Sequence, residues 1–174
     1  MIVADEARMR QTSAMTNHEP SPDDVAHGAT PGNLPERTLV AVFDSPVAGF
    51  LVRYAADAHF TTVVVDPAQG KPMPADLDDT TDVVVTDHHR PELGEVLRDA
   101  LATKARWIGV MGKASVDSPH VPALRALGVP EDEIARVHRP IGLNIGSRLP
   151  AEIAIATLAG LLADRNGKPG GFAF

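Results

Sequence analysis

From residue 37 onward the chain alternates short apolar runs with amphipathic stretches. Leu39-Val-Ala-Val-Phe43 is continuously apolar, the pattern of a strand buried on both faces. Pro46 then opens a helix with Val47, Leu51, Ala55 and Ala58 along one face. Residues 61–65 are β-branched throughout and stop at Asp66-Pro67, which predicts a second strand. Residues 83–85 give a third strand. Pro91 starts a helix whose apolar face is Leu93, Val96, Leu97, Ala100 and Leu101. Residues 107–111 read as a fourth strand followed by Gly112, residues 121–127 as a helix ended by Gly128, and residues 136–141 as a fifth strand. Pro150 opens a last helix that runs to about Arg165. Buried strands alternating with amphipathic helices predict a parallel sheet covered on both faces. The fold class is α/β: a doubly wound, Rossmann-like sheet in three αβα layers, with right-handed connections. Ligands in such sheets sit beyond the strand C-termini at the switch point. That rule directs attention to Asp44 and Ser45, Asp66, Thr86 and Asp87, and residues 109–113 and 142–148.

The ends have a different texture. Residues 1–36 have no apolar period, and residues 17–35 hold Pro20, Pro22, Pro31 and Pro35. Such a segment buries too little to offset its ordering entropy and reads as a disordered or extended tail, with at most a short helix over residues 4–15. The Rossmann-like domain is expected over 37–166. Asn166-Gly-Lys-Pro-Gly-Gly stops the last helix, leaving 167–174 as a C-terminal tail.

Composition narrows the function. With 16 Lys+Arg against 23 Asp+Glu the formal charge is −7, unsuited to non-specific binding of nucleic acid or an anionic membrane. The chain has no cysteine, which excludes disulfides, thiolate metal sites and a cysteine nucleophile. No apolar run reaches the ~18 residues of a membrane span, and the polar start does not resemble a signal peptide. The expectation is a cytoplasmic protein with no nucleic-acid or membrane partner and no structural metal.

Four segments bear on chemistry. The first strand–helix turn is Phe43-Asp44-Ser45-Pro46-Val47-Ala48, where a dinucleotide fold wants G-x-G-x-x-G/A. Phe43 and Ser45 stand at the first two glycine positions, and their side chains are expected where backbone would approach pyrophosphate. Asp66, at the end of the second strand, stands where an acid binds ribose hydroxyls, although an Asp before Pro also serves as a plain turn. Asp87-His88-His89 resembles the signature of metal-dependent phosphoesterases of the DHH type, but it lacks their D-x-D partner motif; the alternative is a polar loop with exposed imidazoles. The segment from Pro140 to Ala154 carries Gly142, Asn144, Gly146, Ser147 and Arg148 just before a helix start. This is either an anion site built from free N–H groups, the helix dipole and a guanidinium, or a glycine turn that packs tightly. The last helix is apolar nearly all round, with Glu152 its only charge over 151–163. It is either buried in the core or covered by a second copy in a homodimer.

Pro140-Ile-Gly-Leu-Asn-Ile-Gly-Ser-Arg-Leu-Pro-Ala-Glu-Ile-Ala154 resembles the P-I-G-L-D-I-G-A-x-T-P-E-E-I-A signature of the xanthine dehydrogenase accessory protein family (XdhC/CoxI), in its C-terminal Rossmann domain. Ile108-Gly-Val-Met-Gly112 resembles that family's Y-x-G-x-x-G-S-R strand end. Val83-Val-Val-Thr86-Asp-His-His resembles its V-V-x-T-H-D turn, and residues 39–66 resemble its opening βαβ unit. The resemblance covers about residues 37–166. It implies a cofactor chaperone: a protein that binds the molybdenum cofactor, a phosphorylated or dinucleotide molybdopterin, assists its sulfuration and passes it to a molybdenum hydroxylase apo-enzyme. It implies a cofactor cradle at residues 142–148 facing 109–113, with Asp44, Ser45, Asp66, Thr86, Gly109, Gly112, Lys113, Gly142, Asn144, Gly146, Ser147 and Arg148 as its residues. The chain departs from the family at Phe43 and Ser45, at Lys113-Ala114 in place of Ser-Arg, and at Leu149 in place of the helix-cap Thr. The family's additional glycine-rich, cysteine-bearing N-terminal domain is not expected within these 174 residues, which hold no cysteine. Rival readings are an NAD(P)-binding oxidoreductase, disfavoured by the broken glycine turn, and a non-catalytic Rossmann interaction module.

Overall fold

The computed structural model describes residues 20–29, 32, 35–113 and 118–171. The chain divides into two units, residues 1–35 and 36–174. In the first, Ser21 and Asp24 form a reciprocal capping box that starts the single-turn helix α1 (Pro22–Ala26). A local cap thus gives helical structure inside a segment whose composition predicts none. The expected helix over 4–15 lies outside the described residues.

The second unit is a five-stranded, all-parallel sheet: β1 (Thr38–Val42), β2 (Thr61–Val65), β3 (Thr81–Val85), β4 (Trp107–Val110) and β5 (Val137–His138), in the order β2-β1-β3-β4-β5. Val40 stands opposite Val63 on one side and Val83 on the other. The predicted doubly wound α/β fold is what the chain adopts. Successive residues of β1 alternate between the two cores. Leu39 and Ala41 pack with α2 (Pro46–Asp57) and α6 (Pro150–Arg165), while Val40 and Val42 pack with α3 (Leu93–Leu101) and α4 (His120–Ala126). This is why the Leu39–Val42 stretch of β1 is apolar throughout rather than alternating.

Two expectations need correction and one element is additional. The fifth strand is two residues long rather than six, because Pro140 has no N–H to extend the ladder. The third helix begins at Leu93, after a turn over 91–92, instead of at Pro91. A short helix, α5 (Glu131–Ile134), has too few apolar residues to register as periodicity.

An internal clasp fixes α6. Asp82, fully buried on β3, accepts from Arg106 Nε (2.7 Å) and Arg165 Nε (2.5 Å), and Arg165 also reaches the Thr80 carbonyl. Burial pushes the Asp82 carboxyl above its ordinary range even though both guanidiniums pull it down. The other flank of α6 meets its own chain. A Cβ at Gly160 would lie 2.9 Å from the Gly142 Cα, and one at Gly142 would lie 3.1 Å from the Ala156 and Thr157 backbone. Much of the small-residue surface expected to receive a second copy therefore receives the loop at 142 and α2.

Candidate functional site

At the C-terminal ends of β3 and β4 lies a cavity of about 560 Å³, within the range of small-molecule sites. The segment after β3 supplies Thr86, Asp87, His88 and His89, and the segment after β4 supplies Met111, Gly112 and Lys113. Val47 at the start of α2, Ile153 and Thr157 of α6, and Ile141 and Ser147 of the intervening loop complete the wall. The location follows from topology, since the strand order reverses between β1 and β3 and leaves a crevice there.

Of the residues expected from sequence, Thr86, Gly112, Lys113 and Ser147 line this cavity. A Cβ at Gly112 would run into the Arg139 guanidinium, which would have to shift to admit one. Ser45 and Thr86 are committed to each other. Thr86 Oγ1 donates to the Val42 and Phe43 carbonyls (3.0 and 3.1 Å) and lies 2.8 Å from Ser45 Oγ. Having one proton, Thr86 accepts from Ser45, which in turn accepts from the Ala48 N–H and caps α2. These hydroxyls stitch α2 to the sheet rather than offering protons to a ligand.

The remaining expected residues are placed elsewhere. Asp44 is exposed and gives its N–H to Asp66 Oδ2 (3.1 Å). Asp66 is 1% exposed and held by Arg90 at 3.2 Å, so its carboxylate faces inward rather than toward a ribose. Burial pushes its carboxyl up, but the Asp44 N–H and the Arg90 guanidinium outweigh that and hold it below its ordinary value. Gly109 is a packing glycine whose missing Cβ leaves room for the Trp107 ring and Ile141. Gly142 packs on α6 as described, so the tight-turn reading applies to it. Asn144, Gly146 and Arg148 are exposed on the loop and take no part in the cavity wall. The Arg148 N–H faces Glu152 Oε2 at 3.4 Å, which puts the protein's own carboxylate where an anion at the α6 N-terminus would lie.

Phe43 also differs from expectation. Its backbone adopts φ 71°, the left-handed conformation a glycine would supply, yet its ring is buried on the α3 side of the sheet and does not project toward a ligand.

Asp87-His88-His89 is a polar loop, with His88 half-buried and His89 exposed, and both imidazoles form part of the cavity wall. Asp87 Oδ1 accepts from the His89 N–H (2.9 Å), and the two rings lie 4.1 Å apart. Burial, then the neighbouring His89 and Arg139, hold the His88 imidazole below its ordinary value of 6.5, so it is neutral at pH 7. Among the described residues no cluster of three metal-ligating side chains occurs. The wall therefore offers one ammonium, two imidazoles and the Ser147 hydroxyl against apolar surfaces from Val47, Met111, Ile141 and Ile153. That combination suits a ligand with an anionic group and a planar apolar body.

Comparison with known proteins agrees with this architecture. The family described as the XdhC Rossmann domain matches residues 39–161. An uncharacterised protein of Escherichia coli K12, YqeB, is 35% identical over 89 residues, which are 51% of this chain and 16% of YqeB. A crystal structure described as a xanthine dehydrogenase from Bacillus halodurans has the same fold, with a TM-score of 0.60 and 24% identity, covering 76% of this chain and 45% of that one. Both relatives thus extend well beyond the matched region. No helix among the described residues is long and apolar enough to cross a membrane.

Proposed function

This chain belongs to the XdhC Rossmann-domain family, and on that premise we propose that it serves the maturation of xanthine dehydrogenase-type molybdenum hydroxylases by holding the phosphorylated pterin of the molybdenum cofactor. The observation that carries the reading is the cavity at the ends of β3 and β4, with Lys113, His88, His89 and Ser147 facing apolar walls. The donor set fits the group: Lys113 is a cation for phosphate, Ser147 and the imidazoles offer hydrogen bonds, and Val47, Met111, Ile141 and Ile153 accept the flat faces of a pterin. The cofactor supplies redox chemistry to the hydroxylase that receives it. The role of this chain is to bind, orient and shield. With no cysteine among its 174 residues, it has no thiol of its own to carry sulfur to the cofactor. Delivery requires docking to an apo-hydroxylase. Ile145, Leu149 and Ile155, each more than half exposed beside the α6 N-terminus, are the apolar surface we assign to protein contacts, including the homodimer expected from sequence.

The test is binding of molybdopterin, followed by pterin fluorescence after oxidation. Wild type should retain pterin through gel filtration, and Lys113→Ala should weaken binding about 10- to 100-fold by removing a charge-assisted contact. Absence of binding at tens of micromolar would leave a non-catalytic interaction module as the better description.

A further inference from the structure

A second group of residues lies at the strand ends, outside the cavity wall. Arg90 leaves the chain just after β3, and its guanidinium reaches across the ends of β1 and β2. It lies 4.7 Å above the ring of Phe43, which follows β1. It then forks onto Asp66, which follows β2, with Nη2 at 3.2 Å from Oδ1 and Nη1 at 3.5 Å from Oδ2. Glu92 holds the same guanidinium from behind, 3.3 Å from both Nε and Nη2. Asp66 also accepts from the Asp44 N–H (3.1 Å) and Gln69 Nε2 (3.3 Å). In a dinucleotide fold the ligand spans the switch point, and the acid after the second strand takes the ribose hydroxyls of one half. Here that acid is 1% exposed and both its oxygens are occupied.

We propose that Arg90 is a specificity-determining residue that seals the β1–β2 half of the crevice. The open half, over β3 and β4, then takes a single phosphorylated ring system, such as a nucleoside or pterin monophosphate, and rejects dinucleotides. The proposal rests on the reading of the cavity as the ligand site and deepens it by naming the ligand's size class. Admitting a second nucleoside would require Arg90 to leave both carboxylates and the aromatic face at once. It would also strip a buried carboxylate of its cation, a costly step.

The experiment compares two probes with the same ring, GMP and di(guanosine-5′) diphosphate, by calorimetry on the full chain. Wild type should bind GMP at least about 10-fold tighter than the dinucleotide. Arg90→Ala, shown to be folded by its melting curve, should bring the two within about 3-fold while leaving GMP affinity nearly unchanged. Because that variant leaves Asp66 buried without its cation, Arg90→Lys serves as a second: it keeps a positive charge but loses the planar fork, and discrimination should fall by at least about 3-fold. Equal binding of both probes to wild type overturns the proposal, as does full discrimination in a folded variant of either kind. Failure of both probes alongside intact pterin binding overturns the ligand class. Failure of pterin binding as well overturns the cavity reading beneath it.

Discussion

Phe43 and His59 share a backbone conformation that L-residues avoid, with φ 71° and 62°, and they are predicted to respond in opposite directions to the same substitution. Phe43→Gly removes a ring that is 1% exposed and lies under Arg90. Truncating a buried Phe costs about 3–5 kcal/mol, and glycine's extra chain entropy adds roughly 0.5–1. Relief of the left-handed conformation returns about 1–2 kcal/mol, so the net loss is about 1.5–5. His59 stands at the end of α2, where the His59 N–H bonds the Ala56 carbonyl (3.0 Å) and the Phe60 N–H the Ala55 carbonyl (2.9 Å). This double bond pattern requires a left-handed residue, and Gly128 fills the same position after α4. The His59 side chain is exposed, so His59→Gly loses no burial and should stabilise the fold by about 0.5–1 kcal/mol. Urea unfolding followed by circular dichroism measures both, and thermal midpoints should move by roughly 2–4 °C per kcal/mol. A neutral or stabilising Phe43→Gly would refute the claim that the ring holds the turn. A destabilising His59→Gly would refute the strain assignment itself.

Three further outcomes are expected. Leu149 occupies the cap position of α6 with extended backbone, 61% exposure and no side-chain cap bond, so Leu149→Thr should raise stability by about 0.5–1.5 kcal/mol in a chemical melt; an unchanged midpoint counts against it. Asp82→Ala strips Arg106 and Arg165 of their shared buried partner and should cost about 3–5 kcal/mol by the same assay, whereas a loss under 1 would mean the clasp is dispensable. Asp66 has a folded pKa below its ordinary 3.8, so its contribution is complete above that value and is lost as pH falls through the lowered one. Asp66→Asn should therefore flatten the acid limb of stability against pH, and an acid limb as steep as wild type would contradict the assignment.

The fold was legible because β1 and β4 are buried on both faces and so read as continuous apolar runs, because β2 is β-branched throughout, and because Pro46 and Pro150 mark helix starts without tertiary help. What sequence missed depends on partners far along the chain. Asp66 reads as a ribose acid until Arg90, 24 residues later, is seen to fork onto it. Gly109 and Gly142 read as glycines that approach a ligand, but the close neighbours are Trp107 and α6. The imidazoles of 88 and 89 carry no periodic signal, and only the placement of β3 beside β4 makes them a wall. The anion loop was legible as a helix start but not as one already facing Glu152, since a 3.4 Å contact depends on a rotamer rather than a spacing.

The contact between Gly142 and Gly160 has a mechanical consequence. With no side chain on either residue and the Leu143 N–H bonded to the Ala156 carbonyl (3.0 Å), loop and helix have no compressible layer between them. One wall of the cavity therefore moves only as fast and as far as α6 does, and α6 is anchored at its far end by Asp82. Breathing that admits a ligand is expected on the opposite side, at residues 87–89 and 112–113, beyond the hydrogen bonds that tie Thr86 to the Val42 and Phe43 carbonyls and the Met111 N–H to Val85. The protein thus has a fixed jaw and a yielding one. A crosslink across the fixed jaw should leave ligand entry rates unchanged, whereas one that ties residue 88 to residue 113 should slow them.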